Sequence, residues 1–415
     1  MGRIAGVGLV MALDGLAAAG GIVLLGQRLP AKIFGQVHFV LAVVPIVGTI
    51  ALLGQREAVA RFLPAAERPL AWRPYVQSVI WRTAVATAVI GAGLYFFVKD
   101  TTPLVFAVTM ATAFCYAVRE FFAAGILRGF GRVREATLLL SLSGILLLVG
   151  TLLVRPETSA GVLGVILATF ALPALASVSF AFAAIPSGDG AIDPAIWRDG
   201  AWLWTTTIYL VLVRNLDSVI MATVISPESL ASYGALLTVM GGFPLLGYAA
   251  NFLLLPRFAA AKHPTLRKTT LDMLVLAAGL AVGYLFLARP ALHLLFQGRY
   301  DAASPLAPIL VVAGVLAMAQ SVPTTMVSSR LKGAPLRTFA IGNLLLIAPI
   351  LGGSWGLAHV AGVVGVAWGR VGTNAIRLMY ASLFASHYAL DNPAAEGAAK
   401  TASEPVAVTE PQSEA

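Results

Sequence analysis

Twelve apolar stretches separated by short polar turns fill this sequence almost from end to end. Their bounds are approximately 4–26, 35–54, 76–98, 103–124, 136–154, 160–184, 200–225, 229–255, 270–288, 303–326, 338–352 and 355–382. Each reaches or approaches the ~20 residues a helix needs to cross about 30 Å of hydrocarbon at 1.5 Å per residue, the stretch 338–352 being the shortest. Helices are the only element that fits. Alternation with period two is absent, and an open sheet would strand backbone polar groups in lipid. The chain is 59% hydrophobic and 11% charged, against about 25% charged in a soluble domain. The sequence therefore predicts an all-α integral membrane protein.

The second constraint is internal repetition. Ala160-Gly161-Val162-Leu163-Gly164-Val165 returns as Ala361-Gly362-Val363-Val364-Gly365-Val366, 201 residues later. Phe34-Gly35 recurs as Tyr233-Gly234, Arg61-Phe62 as Arg257-Phe258, and Leu127-Arg128-Gly129 as Leu331-Lys332-Gly333, at offsets of 199, 196 and 204. Four echoes in one order at nearly one spacing indicate two related halves. Six spans per half is an even number, so both halves enter the membrane from the same side as parallel repeats. The expected organisation is a six-helix lobe over 1–185, a linker over 186–199, a second six-helix lobe over 200–390 and a disordered tail over 391–415, whose Ala, Glu, Pro, Ser and Thr form no core. Paired halves are the usual plan of a secondary transporter, with the substrate path between them.

Charge sets the direction. With the amino terminus placed in the cytoplasm, 19 Lys and Arg fall on the cytoplasmic side, six on the other, and Arg82, Arg214 and Arg370 within spans. This bias predicts that both termini are cytoplasmic. It accounts for most of the net charge of +9 without a nucleic-acid partner and suits contact with anionic membrane lipids. The opening run continues apolar through Leu25, which reads as a retained helix rather than a cleaved signal. The single Cys115 excludes an internal disulfide, and the five histidines lack metal-ligand spacing. No P-loop, Gly-Xaa-Ser-Xaa-Gly or clustered carboxylate pair appears. No cofactor, metal or catalytic residue is expected, and the chain is not expected to be an enzyme.

Several motifs resemble a known family. Ile33-Phe34-Gly35 before the second stretch, with Arg56-Glu57-Ala58-Val59-Ala60-Arg61-Phe62 after it, is similar to the opening of polysaccharide-biosynthesis flippases. These belong to the multidrug/oligosaccharidyl-lipid/polysaccharide exporter superfamily, shared with O-antigen flippases, multidrug extruders and the lipid II flippase. Leu127-Arg128-Gly129 with Arg132 resembles that family's loop between helices four and five. Asp217 followed by Ser232-Tyr233-Gly234 and Pro256-Arg257-Phe258 resembles helices seven and eight, and Phe296-Gln297-Gly298-Arg299-Tyr300 with Ala302-Ala303 the turn before helix ten. The resemblance implies a two-lobed fold of twelve helices with an inner cavity, similar to that of the multidrug and toxin extruders. It also implies alternating-access movement of an undecaprenyl-pyrophosphate-linked oligosaccharide across the inner membrane, for O-antigen, capsule or exopolysaccharide. A polysaccharide polymerase and chain-length machinery are the implied partners. The alternative is an ion-coupled extruder of drugs or cations from the same superfamily.

Charges within the spans are the candidate site, because a charge at the bilayer centre costs at least about 2.5–3.5 kcal/mol and so faces the bundle interior or water. Asp14 lies midway along the first stretch, and Arg214 and Asp217 lie one turn apart in the seventh. Either Arg214 holds an anionic headgroup, with Asp14 or Asp217 neutralising it or binding a coupling cation, or Arg214 and Asp217 form a private ion pair. Arg82 reads as an interface anchor. Arg370, four residues before Asn374, is either a cavity residue or an anchor at the cytoplasmic end. Asn251 and Gln320 are further interior polar candidates.

Overall fold

In a computed structural model, which describes residues 2–62, 71–95, 102–188, 190, 195–247, 250, 254, 258, 266–331 and 333–389, the apolar stretches are helices. In order they are α1 (Gly2–Arg28), α2 (Ala31–Ala51), α3 (Gln55–Phe62), α4 (Trp72–Tyr95), α5 (Pro103–Arg119), α6 (Val133–Val154), α7 (Ser159–Ala184), α8 (Ala195–Ile220), α9 (Pro227–Val239), α10 (Leu266–Phe296), α11 (Ala307–Arg330) and α12 (Gly333–Phe384). Among the described residues there is no strand beyond an isolated bridge at Gly190. The end of the bundle where α1 begins and α12 finishes is called basal below, and the opposite end distal.

Ten described helices are long and apolar enough to cross a bilayer. The last of them crosses twice. Ala361 and Gly362 leave helical conformation, with φ of +56° at Gly362, a region that glycine enters without strain. The two arms then pack antiparallel: Phe339 stacks on Tyr380 at 5.3 Å, and the Tyr380 hydroxyl donates to the Phe339 carbonyl at 3.1 Å. The sequence places this turn near residue 353; the structure moves it to 361–362, so the first arm is longer than the expected 338–352. Gly352 and Gly353 sit inside a helix on an exposed face, where an added β-carbon would meet no neighbour within 4 Å, because in lipid the backbone has no alternative hydrogen-bond partner and the weak helix preference of glycine is overridden. The eighth expected span is supplied by α9 and a helical run at 242–247, with its remainder mostly outside the described residues. So are residues 189 and 191–194 of the linker 186–199, whose residues 195–199 open α8, and the whole tail 391–415.

Capping explains the distal helix starts. Thr102, Thr158 and Ser226 each accept a backbone N–H three residues on, at 3.4, 3.2 and 3.1 Å, and Pro103 and Pro227 take the first helical position. Inside the bundle, Thr87, Thr109, Thr169 and Ser177 return their hydroxyls to carbonyls four residues back, which hides their polarity.

Two of the four echoes land on matching places, while Arg257 and Lys332 of the other two lie outside the described residues. The two hexapeptides open α7 and the second arm of α12, the last crossing of each half. Gly35 and Gly234 lie where α2 meets α9. A β-carbon at Gly35 would collide with the Pro227 carbonyl, and one at Gly234 with the His38 ring. Repeat-related helices thus meet through their repeated glycines, the close approach that membrane helices use when the hydrophobic effect no longer favours burial.

Candidate functional site

Two buried polar clusters occupy the interior, one in each half. In the second half, α8 turns Thr206, Tyr209, Val213, Asp217 and Ile220 inward at spacings of three and four. Asp217 is 6% exposed. Its carboxylate accepts the Tyr233 hydroxyl of α9 at 2.7 Å and pairs with Arg370 on the second arm of α12. Asp217 lies eight residues from Ile225, where the helical run that continues α8 ends on the distal side, and Arg370 eight from the turn at Gly362, so both are about 12 Å deep. One turn further along α12, Asn374 accepts from the Gln320 amide of α11 at 3.1 Å and donates to the Ala313 carbonyl at 3.1 Å. Arg377, one turn beyond, is 9% exposed and stacks over the Tyr209 ring at 5.5 Å.

The candidate residues therefore separate. Asp217 and Arg370 come together with Tyr233, and Asn374 lies beside them. Arg370 lies in the interior, paired with Asp217, rather than at a helix end. Arg214 falls outside the inward stripe of α8 and is exposed. It lies two turns from Thr207, whose hydroxyl donates to Glu57 of α3 at 3.0 Å, so it shares the helix face turned toward the first half. Asp14 meets α6 instead: its Oδ1 accepts the Gly144 N–H at 2.6 Å. A side chain at Gly144 would collide with the Asp14 backbone. Asn251 lies outside the described residues.

The first-half cluster went unseen in the sequence. Arg119 is 6% and Glu120 8% exposed. Glu120 bridges Arg119 and Arg56, each at 2.8 Å. Arg119 also donates to Ser143 and lies over the rings of Tyr116 and Phe170 at 5.2 and 5.3 Å. Arg56 pairs in turn with Glu57, which reaches α8 through Thr207. An ion network thus runs from inside the first half to the second at the basal end. Arg56, Arg119 and Arg377 count in the sequence as cytoplasmic-side charge; the structure buries the last two inside helices and ties Arg56 to Glu120. Glu120 opens a π-helical segment (Glu120–Leu127), and a second one (Met221–Ile225) follows Asp217 within a turn. Such widened turns recur at functional sites.

Between the halves, toward the distal end, lies a cavity of about 330 Å³. Phe39, Val43, Phe106 and Met110 line one side and Val219 and Trp355 the other. Its threonines, Thr109 and Thr223, bond backward to their own helices, so the wall is apolar.

No protein-family model matches the sequence, and no curated protein matches it. Solved structures do. A structure of the lipid II flippase MurJ in an inward closed conformation superposes with a TM-score of 0.67 at 12% identity, covering 92% of this chain and 87% of that one. A multidrug resistance MATE family transporter of the MOP superfamily matches in its inward-facing conformation with a TM-score of 0.58 at 11% identity, covering 92% and 100%. An outward-facing structure of that description matches with a TM-score of 0.59 at 15% identity, covering 92% and 94%. This chain is a multi-pass membrane protein with the two-lobed, all-helical fold of MATE-like transporters.

Proposed function

We propose that the protein moves an undecaprenyl-pyrophosphate-linked oligosaccharide between membrane leaflets by rocking its two halves about the α2–α9 contact. The observation that carries this reading is the charge balance of the second half. Along α8 from Gly200 onward and the second arm of α12, Arg214, Arg370 and Arg377 stand against the single acid Asp217. That surplus favours an anionic cargo, and guanidinium binds phosphate with paired hydrogen bonds. The apolar cavity beside it suits an isoprenoid chain. The charge bias of the loops makes the basal end cytoplasmic, so transfer would run from the basal to the distal side of a bacterial inner membrane. The solved structure with the highest TM-score quoted above is named as a lipid II flippase, which fits a lipid-linked substrate.

An extruder of organic cations on this fold needs an accessible acid. Of Asp14, Glu120 and Asp217, the latter two already carry arginines, which leaves Asp14 for a coupling cation. Deletion of the gene tests the two readings together. Loss of surface glycan with unchanged susceptibility to cationic dyes is expected. Normal glycan with heightened dye sensitivity would replace the flippase with the extruder.

A further inference from the structure

Arg377 differs from every other buried arginine described above. Arg119 and Arg370 each have a carboxylate bonded to them. Arg377 has no ion pair and no hydrogen-bond acceptor among the described residues; it only overlies Tyr209. An unpaired buried charge is unfavourable enough that folds seldom keep one without a use.

Its surroundings repeat the anomaly. A crevice between α8, α11 and both arms of α12 is lined by Arg377 together with Thr206, Tyr209, Thr324 and Asn343. The hydroxyl oxygens of Thr206, Tyr209 and Thr324 are all buried and all lack a hydrogen-bond partner. Buried polar atoms are satisfied in the great majority of cases, so three orphans in one crevice beside an unpaired guanidinium form a donor set missing its acceptor. A metal cation is excluded by the arginine. Water would satisfy hydroxyls but leave the charge uncompensated. A tetrahedral oxyanion does both, because its oxygens diverge toward donors arriving from different helices.

We propose that this crevice is a binding site for a phosphoryl oxyanion. It is closed to water in this conformation, so occupancy requires α8 to draw away from α12, a rearrangement within the second half. Arg377 lies seven residues basal of Arg370, about 10 Å along the same face. Near the basal mouth, Arg337 overlies Trp202 at 5.1 Å and adds positive potential that draws anions inward. A lipid-linked pyrophosphate and a free inorganic one share this chemistry. Assigning the site to the lipid headgroup rests on the flippase reading; the oxyanion site does not.

The test is thermal unfolding of the purified protein in nanodiscs at constant ionic strength. Inorganic pyrophosphate is added in one arm, and an isoprenoid pyrophosphate is built into the disc in the other. Stabilisation by at least one of them is expected. Affinity should fall about tenfold or more in Arg377→Gln, by the loss of charge-assisted hydrogen bonds, and less in Tyr209→Phe. Without ligand, Arg377→Gln should unfold no earlier than wild type, because it removes an uncompensated charge; a purely structural arginine would give the opposite. A response confined to the lipid assigns the site to the headgroup, and a response to inorganic pyrophosphate alone to the free anion. Should wild type respond to neither, or Arg377→Gln and Tyr209→Phe respond as wild type does, the site is refuted. Pyrophosphate binding that persists in a protein whose deletion leaves surface glycan intact would refute the flippase and keep the site.

Discussion

Asp217 illustrates what a sequence conveys about a single residue and what it does not. Its presence in an apolar span marked it as interior, and so it is. Its partner was not legible: the one arginine the sequence offered it was Arg214, three residues away, whereas the observed partner, Arg370, is 153 away. The inward stripe from Thr206 to Ile220 decides, since it includes Asp217 and leaves Arg214 out. Arg119 and Glu120 escaped notice because they sit near a helix end, where charge reads as solvated. Breaking the Asp217 pair separates the roles of its members. Arg370→Met leaves a buried carboxylate with Tyr233 as its one remaining bonded side chain, an expected loss of about 3–5 kcal/mol. Adding Asp217→Leu should recover most of it, as measured by thermal unfolding in detergent. Failure to recover would mean that the pair stabilises more than its own desolvation costs. Asp14→Asn keeps an oxygen that can accept from Gly144, so stability should stay within about 1 kcal/mol of wild type. If Asp14 binds the coupling ion, transport by this variant loses its dependence on an ion gradient while the substrate still binds.

At the level of elements, helix length and apolarity located nearly every crossing, since lipid imposes both. Two features lay beyond that rule. The helix α3 is eight residues long and polar, too short for any window tuned to a span, yet it carries Arg56 and Glu57 to the junction of the halves. The turn at Ala361-Gly362 lies within apolar sequence, whereas the expected break at residues 353–354 had only the glycines Gly352 and Gly353 to recommend it. Glu120 holds α3 to the end of α5 through two guanidinium groups. Glu120→Gln should therefore destabilise by about 3 kcal/mol or more, and a second change, Arg119→Met, should offset part of that. The glycine contact between α2 and α9 makes a different demand. Gly234→Leu drives a side chain into His38, and the expected outcome is a protein that still inserts but no longer alternates. Cysteine-accessibility labelling from both sides checks this, because wild type should label at either mouth in turn and the variant at only one.

For the whole molecule, the duplication was visible as weak echoes, and the structure gives them physical content: hexapeptides that open the last crossing of each half, and glycines at the meeting of α2 and α9. The charge of the two halves, by contrast, is unequal. The first half balances its buried arginines with Glu57 and Glu120, while the second keeps an arginine surplus, and that asymmetry gives an anion a place to go. The most direct test is transfer in proteoliposomes that hold only this protein. A lipid-linked oligosaccharide placed in the inner leaflet should become accessible to an external lectin, and Arg370→Met with Asp217→Leu should slow the transfer while the protein remains folded. Vesicles that never expose the glycan, yet extrude a cationic dye against its gradient, would contradict a flippase for anionic lipid-linked sugar.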